Sequence, residues 1–418
     1  MSSLPIHVKE AVLISPSDTT PTHILPLSTL DSQPFLRFTI EYLLLYRSPI
    51  TDRSATTARM KDALSQALVP YYPFAGRVRP RLSDSKHLEV VCRSQGALFI
   101  EAILDGEQVS ISDLQKAPRC TNQWRNLLTF HVNDVLCAAA IGVGINHVIT
   151  DGIGSAEFLN TFAELASGKN LRKPSPIWDR YLLDPTPKNP SFFSHPEFES
   201  VQDFSGFVSR FNEETLTPTS VVFNSSSLTE LKKLANELSE LFSFTAFEVL
   251  SAHVWRSWAK SLKLSPQQIL RLLFSVNIRN QVRPSLPAGF YGNGFLLGCA
   301  QTTVEELTTK DLGYAADLVR KAKERIGDEY VRSVIKSVSE TSACPDAVGV
   351  LIVSQWSRLG LDGVDFGMGK PVHVGPVCTD RYCLFLPVVD QQDAVKVMVA
   401  VPRSAVAEFE YLLSNHPF

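Results

Sequence analysis

The chain has 418 residues, 44% of them hydrophobic and 20% charged, with a formal net charge of -3; at roughly 150 residues per domain this length suggests two or three domains, each with its own core. A peptide-sized or disulfide-stapled fold is excluded, and nothing in the overall charge attracts nucleic acid or anionic lipid. The seven cysteines, Cys92, Cys120, Cys137, Cys299, Cys344, Cys378 and Cys383, are odd in number and form no C-x-x-C pair, which reads as thiols in a reducing compartment, not a disulfide framework or a zinc site.

In chain order, Lys9 and Glu10 break any early apolar core, so the N-terminus does not read as a signal peptide. Met60, Leu64 and Leu68 recur at helical spacing before Pro70, and YYPFAGRV (Tyr71 to Val78) then reads as a turn into a strand. HLEVVC (His87 to Cys92) and ALFIEA (Ala97 to Ala102), separated by Ser94, Gln95 and Gly96, predict a hairpin. The longest apolar run, Val135 to Ile145, falls short of the ~18 to 20 residues of a membrane helix. Extended to Asn146, it predicts a strand in a sheet covered on both faces, leading directly into His147. Phe158, Leu159, Phe162 and Leu165 predict an amphipathic helix capped at Ser167 and Gly168.

From Lys169 to Glu214 periodicity vanishes and prolines cluster (Pro174, Pro176, Pro185, Pro187, Pro190, Pro196), which predicts a linker dividing the chain nearly in half. Three segments are therefore expected: a first domain over 1–190, a crossover over 191–215 and a second domain over 216–418. The second half reads as a strand at Thr219 to Phe223, helices at Ser227 to Leu238 and Ser243 to Leu262, and strands at Leu272 to Val276, Val350 to Val353 and Ala394 to Val401. Such alternation predicts an α/β protein.

His147-Val148-Ile149-Thr150-Asp151-Gly152 has the form H-x-x-x-D-G. Nine histidines, each with a ~5% chance of an aspartate four residues later, give about 0.4 such matches by accident, so the spacing alone decides nothing. Its setting says more, since the end of a buried strand before a helix start is where α/β folds build ligand clefts. The same residues also fit a satisfied structural histidine and an N-capping aspartate.

INHVITDGIGSAEFLNTFAELASG, YYPFAGRV, SAHVWRSWAKSL and VDFGMGKP together resemble the plant BAHD acyl-CoA-dependent acyltransferases, whose signature pair is H-x-x-x-D and D-F-G-W-G. Weaker matches at LPLSTLD (Leu25 to Asp31), CRSQGALFIEA (Cys92 to Ala102), FYGNG (Phe290 to Gly294) and SQW (Ser354 to Trp356) extend the likeness over almost the whole chain. Two departures stand out: Met368 replaces the motif tryptophan, and Asn277 replaces the aspartate of a D-x-R element that leaves Arg279.

The resemblance implies a two-domain chloramphenicol acetyltransferase-like fold, each half a mixed sheet flanked by helices, with a channel at the domain interface. It implies acyl transfer from an acyl-CoA co-substrate to a hydroxyl or amine of a small acceptor in plant specialised or surface-lipid metabolism. The expected protein is a cytoplasmic monomer with no metal, no permanently bound cofactor, no membrane span and no nucleic-acid partner. His147 is expected to be the general base, Asp151 to hold the loop together with an arginine such as Arg283, and Gly152 to remove a Cβ near the channel. Ser354 and Trp356 are the expected oxyanion donors. Thr245, Arg256 and Lys260 are expected to hold the CoA phosphates at a helix N-terminus and its basic face, or else to form a solvated basic face. Asp365, in a loop with Gly367 and Gly369, is expected to pair with Arg279 as an architectural ion pair.

No serine or cysteine occupies a nucleophile elbow, which favours direct attack in a ternary complex over an acyl-enzyme. A protein kinase is excluded, because D-F-G stands without a G-x-G-x-x-G loop or an H-R-D segment. Peptide-synthetase condensation domains carry H-H-x-x-x-D-G, whereas Asn146 stands in the first histidine position here. The reading from another class is a non-catalytic accessory protein of a fatty-acid elongation complex, kept open by Met368.

Overall fold

Apolar strands must bury their faces, and this chain does so around two main cores. The computed structural model describes residues 6–47, 52–104, 132–135, 138–169, 174–184, 193–236, 243–341, 343–376 and 382–415. Cys120, Cys137, Cys378, Pro185, Pro187, Pro190 and the expected helix end at 237–238 lie outside these residues.

Strands of the first half are β1 (Ile6–Ile14), β2 (Ile24–Pro26), β3 (Thr39–Tyr46), β4 (Arg77–Pro80), β5 (Leu88–Val91), β6 (Ala97–Leu104), β7 (Val132–Val135) and β8 (Ala138–Asn146). The second half adds β9 (Leu216–Phe223), β10 (Ile269–Asn277), β11 (Phe295–Thr303), β12 (Val350–Gln355), β13 (His373–Gly375), β14 (Cys383–Val388) and β15 (Gln391–Pro402). The helices are α1 (Arg53–Ala67), α2 (Gly152–Ala166), α3 (Phe207–Glu213), α4 (Ser225–Asn236), α5 (Ala246–Leu262), α6 (Val304–Thr309), α7 (Leu312–Glu324), α8 (Asp328–Thr341) and α9 (Val406–Asn415). Among the described residues no helix is long and apolar enough to cross a membrane.

The first core lies under a sheet of order β13–β3–β8–β7. Among the described residues all its pairings are antiparallel. The second sheet, β11–β10–β12–β14–β15–β9, is mixed, with β10–β12 and β12–β14 parallel. Its side chains alternate as pleated strands require. Cys383, Phe385, Val397, Val399 and Val401 face the core that includes α4, α5, α7 and α9, whereas Leu384, Leu386 and Met398 face the first core. Both faces of these strands are thus covered, which explains their near-continuous apolar sequence.

The expected hairpin does not form. Strand β5 pairs with β2 and β4, while β6 leaves that sheet to pair with β1. Gly96 makes the departure possible: it sits at φ 86°, and a Cβ there would lie 2.7 Å from the Ile14 carbonyl oxygen.

Within 169–214, the described residues form short 3₁₀ turns at Arg180–Leu183 and Pro196–Phe198 before α3. Division of the chain into halves does not coincide with division into cores. Trp356, Leu361, Val364, Phe366 and Val374 all pack in the first core with Tyr42, Tyr46, Phe158 and Phe162, and β13 joins the first sheet by pairing with β3. Phe366 carries much of this crossover, with its ring 4.9 Å from Phe162 and 6.3 Å from Tyr46. Phe366→Ala is expected to destabilise the protein by about 3–5 kcal/mol, through lost apolar burial plus the cavity left behind; a fall in the urea midpoint at unchanged m-value would show it.

Candidate active site

His147 is placed by β8. The strand ends at Asn146, opposite Thr39 of β3, and the His147 N–H then donates to the Phe38 carbonyl at 2.9 Å. A tight turn follows: the Ile149 N–H donates to the Asn146 carbonyl at 3.0 Å, and the Val148 N–H to Asn146 Oδ1 at 3.2 Å. Asn146 therefore spends its side chain on the turn. The half-buried imidazole meets the Phe38 ring edge-on at 5.1 Å and the Phe295 ring at 5.9 Å. Burial pushes its pKa below the usual 6.5, the nearby Asp151 charge opposing this only in part. Nδ1 is buried and makes no hydrogen bond among the described residues.

Asp151 caps α2, its Oδ1 accepting from the Gly154 N–H at 3.0 Å. Arg279 grips the same carboxylate with both prongs, Nη1 donating to Oδ2 at 2.8 Å and Nη2 to Oδ1 at 3.0 Å. The Gly294 N–H adds a fourth donor to Oδ2 at 3.0 Å. Arg279 in turn donates to the Phe290 and Gly292 carbonyls. The guanidinium thus ties the H-x-x-x-D turn to FYGNG, and a charge-assisted bidentate pair of this kind is both strong and geometrically specific. Gly154 is required for the approach, since a Cβ there would lie 2.1 Å from the Tyr291 carbonyl oxygen.

Two expectations about this pair are corrected. Arg283 does not reach Asp151; its N–H donates to Asp328 Oδ1 at 2.8 Å, and its carbonyl accepts from Arg332. Asp365 does not pair with Arg279 either. Its Oδ1 collects the N–H groups of Gly367, Met368 and Gly369 at 2.8, 3.0 and 2.8 Å. Gly367 and Gly369 hold φ 87° and 82°, the left-handed region in which a side chain is costly. This loop packs at the C-terminal end of α2, where Ser167 Oγ donates to the Asp365 carbonyl at 2.5 Å. A 15-residue helix is about 22 Å long, so the second motif stands a full helix length from His147. Met368 packs on the first core and leaves the loop's hydrogen bonds intact.

Gly152 begins α2, and a Cβ there would come 3.1 Å from Leu359 Cδ1. Trp356 is 9% exposed and lies against Tyr42, ring centres 5.0 Å apart. Ser354 sits on β12 opposite Leu384 of β14. Neither bonds to His147 among the described contacts.

The expected phosphate site on α5 is also corrected. Thr245 and Glu248 form a reciprocal capping box, which places a carboxylate where a phosphate would have to sit. Arg256 is buried and donates to the carbonyls of Leu307 and Lys310. Lys260 is half-buried, its pKa lowered by burial and then by Arg256. A guanidinium satisfied by carbonyls inside the fold is not poised for an external anion.

Two features escaped the sequence reading. Asn293 of FYGNG donates through Nδ2 to the His147 carbonyl at 2.8 Å and to Asp31 Oδ1 at 2.8 Å. A cavity of about 10 Å³, lined by Phe35, Phe198, Phe295, Leu297 and Val334 with Gln33 and Glu197, has room for roughly one water and shares Phe295 with the imidazole's surroundings.

A family model described as Transferase family matches residues 4–415. The chain belongs to this family, that of the plant BAHD acyltransferases, and is an acyltransferase. It is 34% identical to the omega-hydroxypalmitate O-feruloyl transferase of Arabidopsis thaliana, over 97% of this chain and 92% of that protein. It is 32% identical to the fatty alcohol:caffeoyl-CoA acyltransferase of Arabidopsis thaliana, over 97% of each. Vinorine synthase has the same fold, with a TM-score of 0.76 at 22% identity over 98% of both chains.

Arg279→Ala leaves the Asp151 carboxylate buried without its counter-charge and is expected to cost about 3–5 kcal/mol. Chemical denaturation would measure it; a loss below about 1 kcal/mol, the size of an exposed pair, would contradict the account.

Proposed function

We propose that this protein transfers an acyl group from an acyl-CoA to the hydroxyl of a long-chain aliphatic alcohol by direct attack in a ternary complex, with His147 as general base, acting as a cytoplasmic monomer. The observation that carries it is the imidazole: half-buried, held at the end of β8 by its own backbone, and with a pKa below 6.5 because burial disfavours its charged form. It is therefore neutral at neutral pH, the state a base needs.

The steps balance on this one group. His147 takes the acceptor's O–H proton as the oxygen attacks the thioester carbonyl, and the C–O bond forms. The tetrahedral intermediate then expels the thiolate as the C–S bond breaks, and the imidazolium returns the proton to sulfur. The products are an ester and free CoA, with the enzyme unchanged. Ser354 and Trp356, at the end of β12, are the proposed donors to the oxyanion. Asp151 touches no substrate in this scheme; its four donors support an architectural role for the carboxylate.

Two relatives support the acceptor class, since their names specify omega-hydroxypalmitate and fatty alcohol. The motive for a non-catalytic accessory reading was Met368, and its loop keeps the three hydrogen bonds to Asp365.

Free-thiol release from feruloyl-, caffeoyl- and acetyl-CoA with fatty alcohols, omega-hydroxy acids and amines tests the reading. His147→Ala is expected to lower turnover by about 10²- to 10⁴-fold, the usual range for general base catalysis, while the fold persists; wild-type CoA release by that variant would sink the base assignment. In the wild type, kcat/KM should rise with pH to a plateau, with the midpoint of the acid limb below 6.5, because activity follows the neutral imidazole.

A further inference from the structure

Behind the catalytic turn lies a second buried ion pair, separate from Asp151 and Arg279. Asp31 is 0% exposed and Arg180 is 2% exposed, with Arg180 Nη1 donating to Asp31 Oδ1 at 3.0 Å. Burying two charges costs several kcal/mol apiece unless each remaining lone pair and proton is used, so where these groups send their other bonds is informative.

Asp31 receives five hydrogen bonds. Ser28 gives two to Oδ2, from its N–H at 3.0 Å and its Oγ at 2.6 Å. Asn293 gives two to Oδ1, from its N–H at 3.1 Å and Nδ2 at 2.8 Å, and Arg180 gives the fifth. The outward bonds of the two donors go to a single target, the His147–Asp151 turn. Asn293 Nδ2 reaches the His147 carbonyl at 2.8 Å, and Arg180 Nη2 reaches the Ile149 carbonyl at 2.6 Å. Each donor is thus anchored on Asp31 and holds one alternate carbonyl of the turn. The guanidinium is further clamped over the ring of Trp178 at 4.3 Å and beside Tyr291 at 5.2 Å. Gly292 makes the room, since a Cβ there would overlap Arg180 Nη1 at 1.5 Å.

We propose that Asp31 and Arg180 are positioning residues for His147, a role that rests on the general-base reading above: through Asn293 and the Ile149 carbonyl they fix the backbone of the catalytic turn and hold the imidazole in its desolvated place. Neither touches the reacting atoms. Asp151 fixes the turn's last residue from one side, and Asp31 fixes its first and third from the other.

The consequence separates positioning from bulk stability. A loosened turn admits water to the imidazole, weakening the burial that lowers its pKa, so the acid limb should move up toward 6.5 as kcat falls. A purely structural role would lower thermal stability and the active fraction and leave that midpoint in place.

The test measures kcat, KM for acyl-CoA and the kcat/KM–pH profile of full-length Asp31→Asn, Arg180→Lys and Ser28→Ala, with caffeoyl-CoA and a fatty alcohol as probe pair and activities normalised to folded protein. Arg180→Lys keeps the charge but cannot span Asp31 and the Ile149 carbonyl in a fork. Ser28→Ala removes one oxygen and one of the five bonds, so it reports even if Asp31→Asn fails to fold. Expected for Arg180→Lys and Asp31→Asn is a kcat loss of about 10- to 100-fold, the scale of a sub-ångström to 1 Å misplacement, with KM for acyl-CoA within twofold and the acid midpoint raised. Ser28→Ala should change in the same sense by less, and a Val399→Ala control in the second core should leave the midpoint unmoved.

Folded variants with wild-type kcat and wild-type midpoints would overturn the positioning role, as would a raised KM at unchanged kcat. His147→Ala run alongside keeps the two readings apart. Retained turnover there overturns the base assignment, whereas an inactive His147→Ala with unmoved Ser28, Arg180 and Asp31 midpoints overturns the positioning role alone.

Discussion

The site depends on one buried carboxylate and the guanidinium that answers it. Asp151 stands where β8, the start of α2 and the FYGNG strand entry converge, and a charge removed from water there has to be met on every lone pair. Arg279 meets it with two prongs, the Gly154 and Gly294 N–H groups supply the rest, and Arg279 spends its remaining protons on carbonyls of 290–294. Two regions distant in sequence, 146–154 and 279–294, are thereby held in one register. An apolar contact could hold them together as tightly, but it would not specify orientation as a fork of parallel hydrogen bonds does.

Helix α2 carries that register across the first core. At its N-terminus an aspartate caps the helix and takes the ion pair; at its C-terminus Ser167 hands a hydrogen bond to the carbonyl of Asp365, whose own carboxylate folds a glycine loop around itself. The two acidic motif residues therefore use the same chemistry, a carboxylate collecting backbone N–H groups, at opposite ends of one strut. Only the first needs a counter-cation, because only the first is nearly closed off from solvent. Phe366, pinned between Phe162 and Tyr46, sets the distance between the strut and the first sheet. The second motif is thus joined to the His147 turn through α2, from a helix length away.

Local periodicity made much of this legible. Helix α2, its Ser167–Gly168 end, the buried strand before His147 and the helix beginning after Thr245 follow from residue spacing, since each depends on neighbours within a few positions. What spacing cannot carry is partner choice. HLEVVC and ALFIEA have a turn between them and the right alternation, yet β6 pairs with β1 because Gly96 lets the chain pass over Ile14. Arg279, Arg283 and Arg256 are alike in sequence; one folds onto a carboxylate, one sits beside Asp328 and one turns inward to carbonyls. Asp31 and Arg180 lie 149 positions apart and fall in no shared motif. The hint was present in LPLSTLD and FYGNG, two stretches of family resemblance with no evident chemistry, which the fold joins through Asn293.

The ion pair also bears on the proton chemistry of the imidazole. Burial disfavours the charged form of His147 and is the largest influence on it; hydrogen bonding within the turn and from Asn293, together with the Asp151 carboxylate, favours the charged form. In the serine-hydrolase triad the aspartate hydrogen-bonds the imidazole and stabilises the imidazolium. Here both oxygens of Asp151 are turned to Arg279 and to backbone N–H groups, and His147 Nδ1 makes no bond to them. A cation bonded directly to the carboxylate cancels much of the field that would otherwise hold a proton on the histidine. Burial then prevails, and the imidazole is neutral at neutral pH. Arg279 thus offsets the burial of Asp151. In the proposed mechanism, a base that collects an alcohol proton and returns it to a thiolate within one encounter is best served by a weakly held proton.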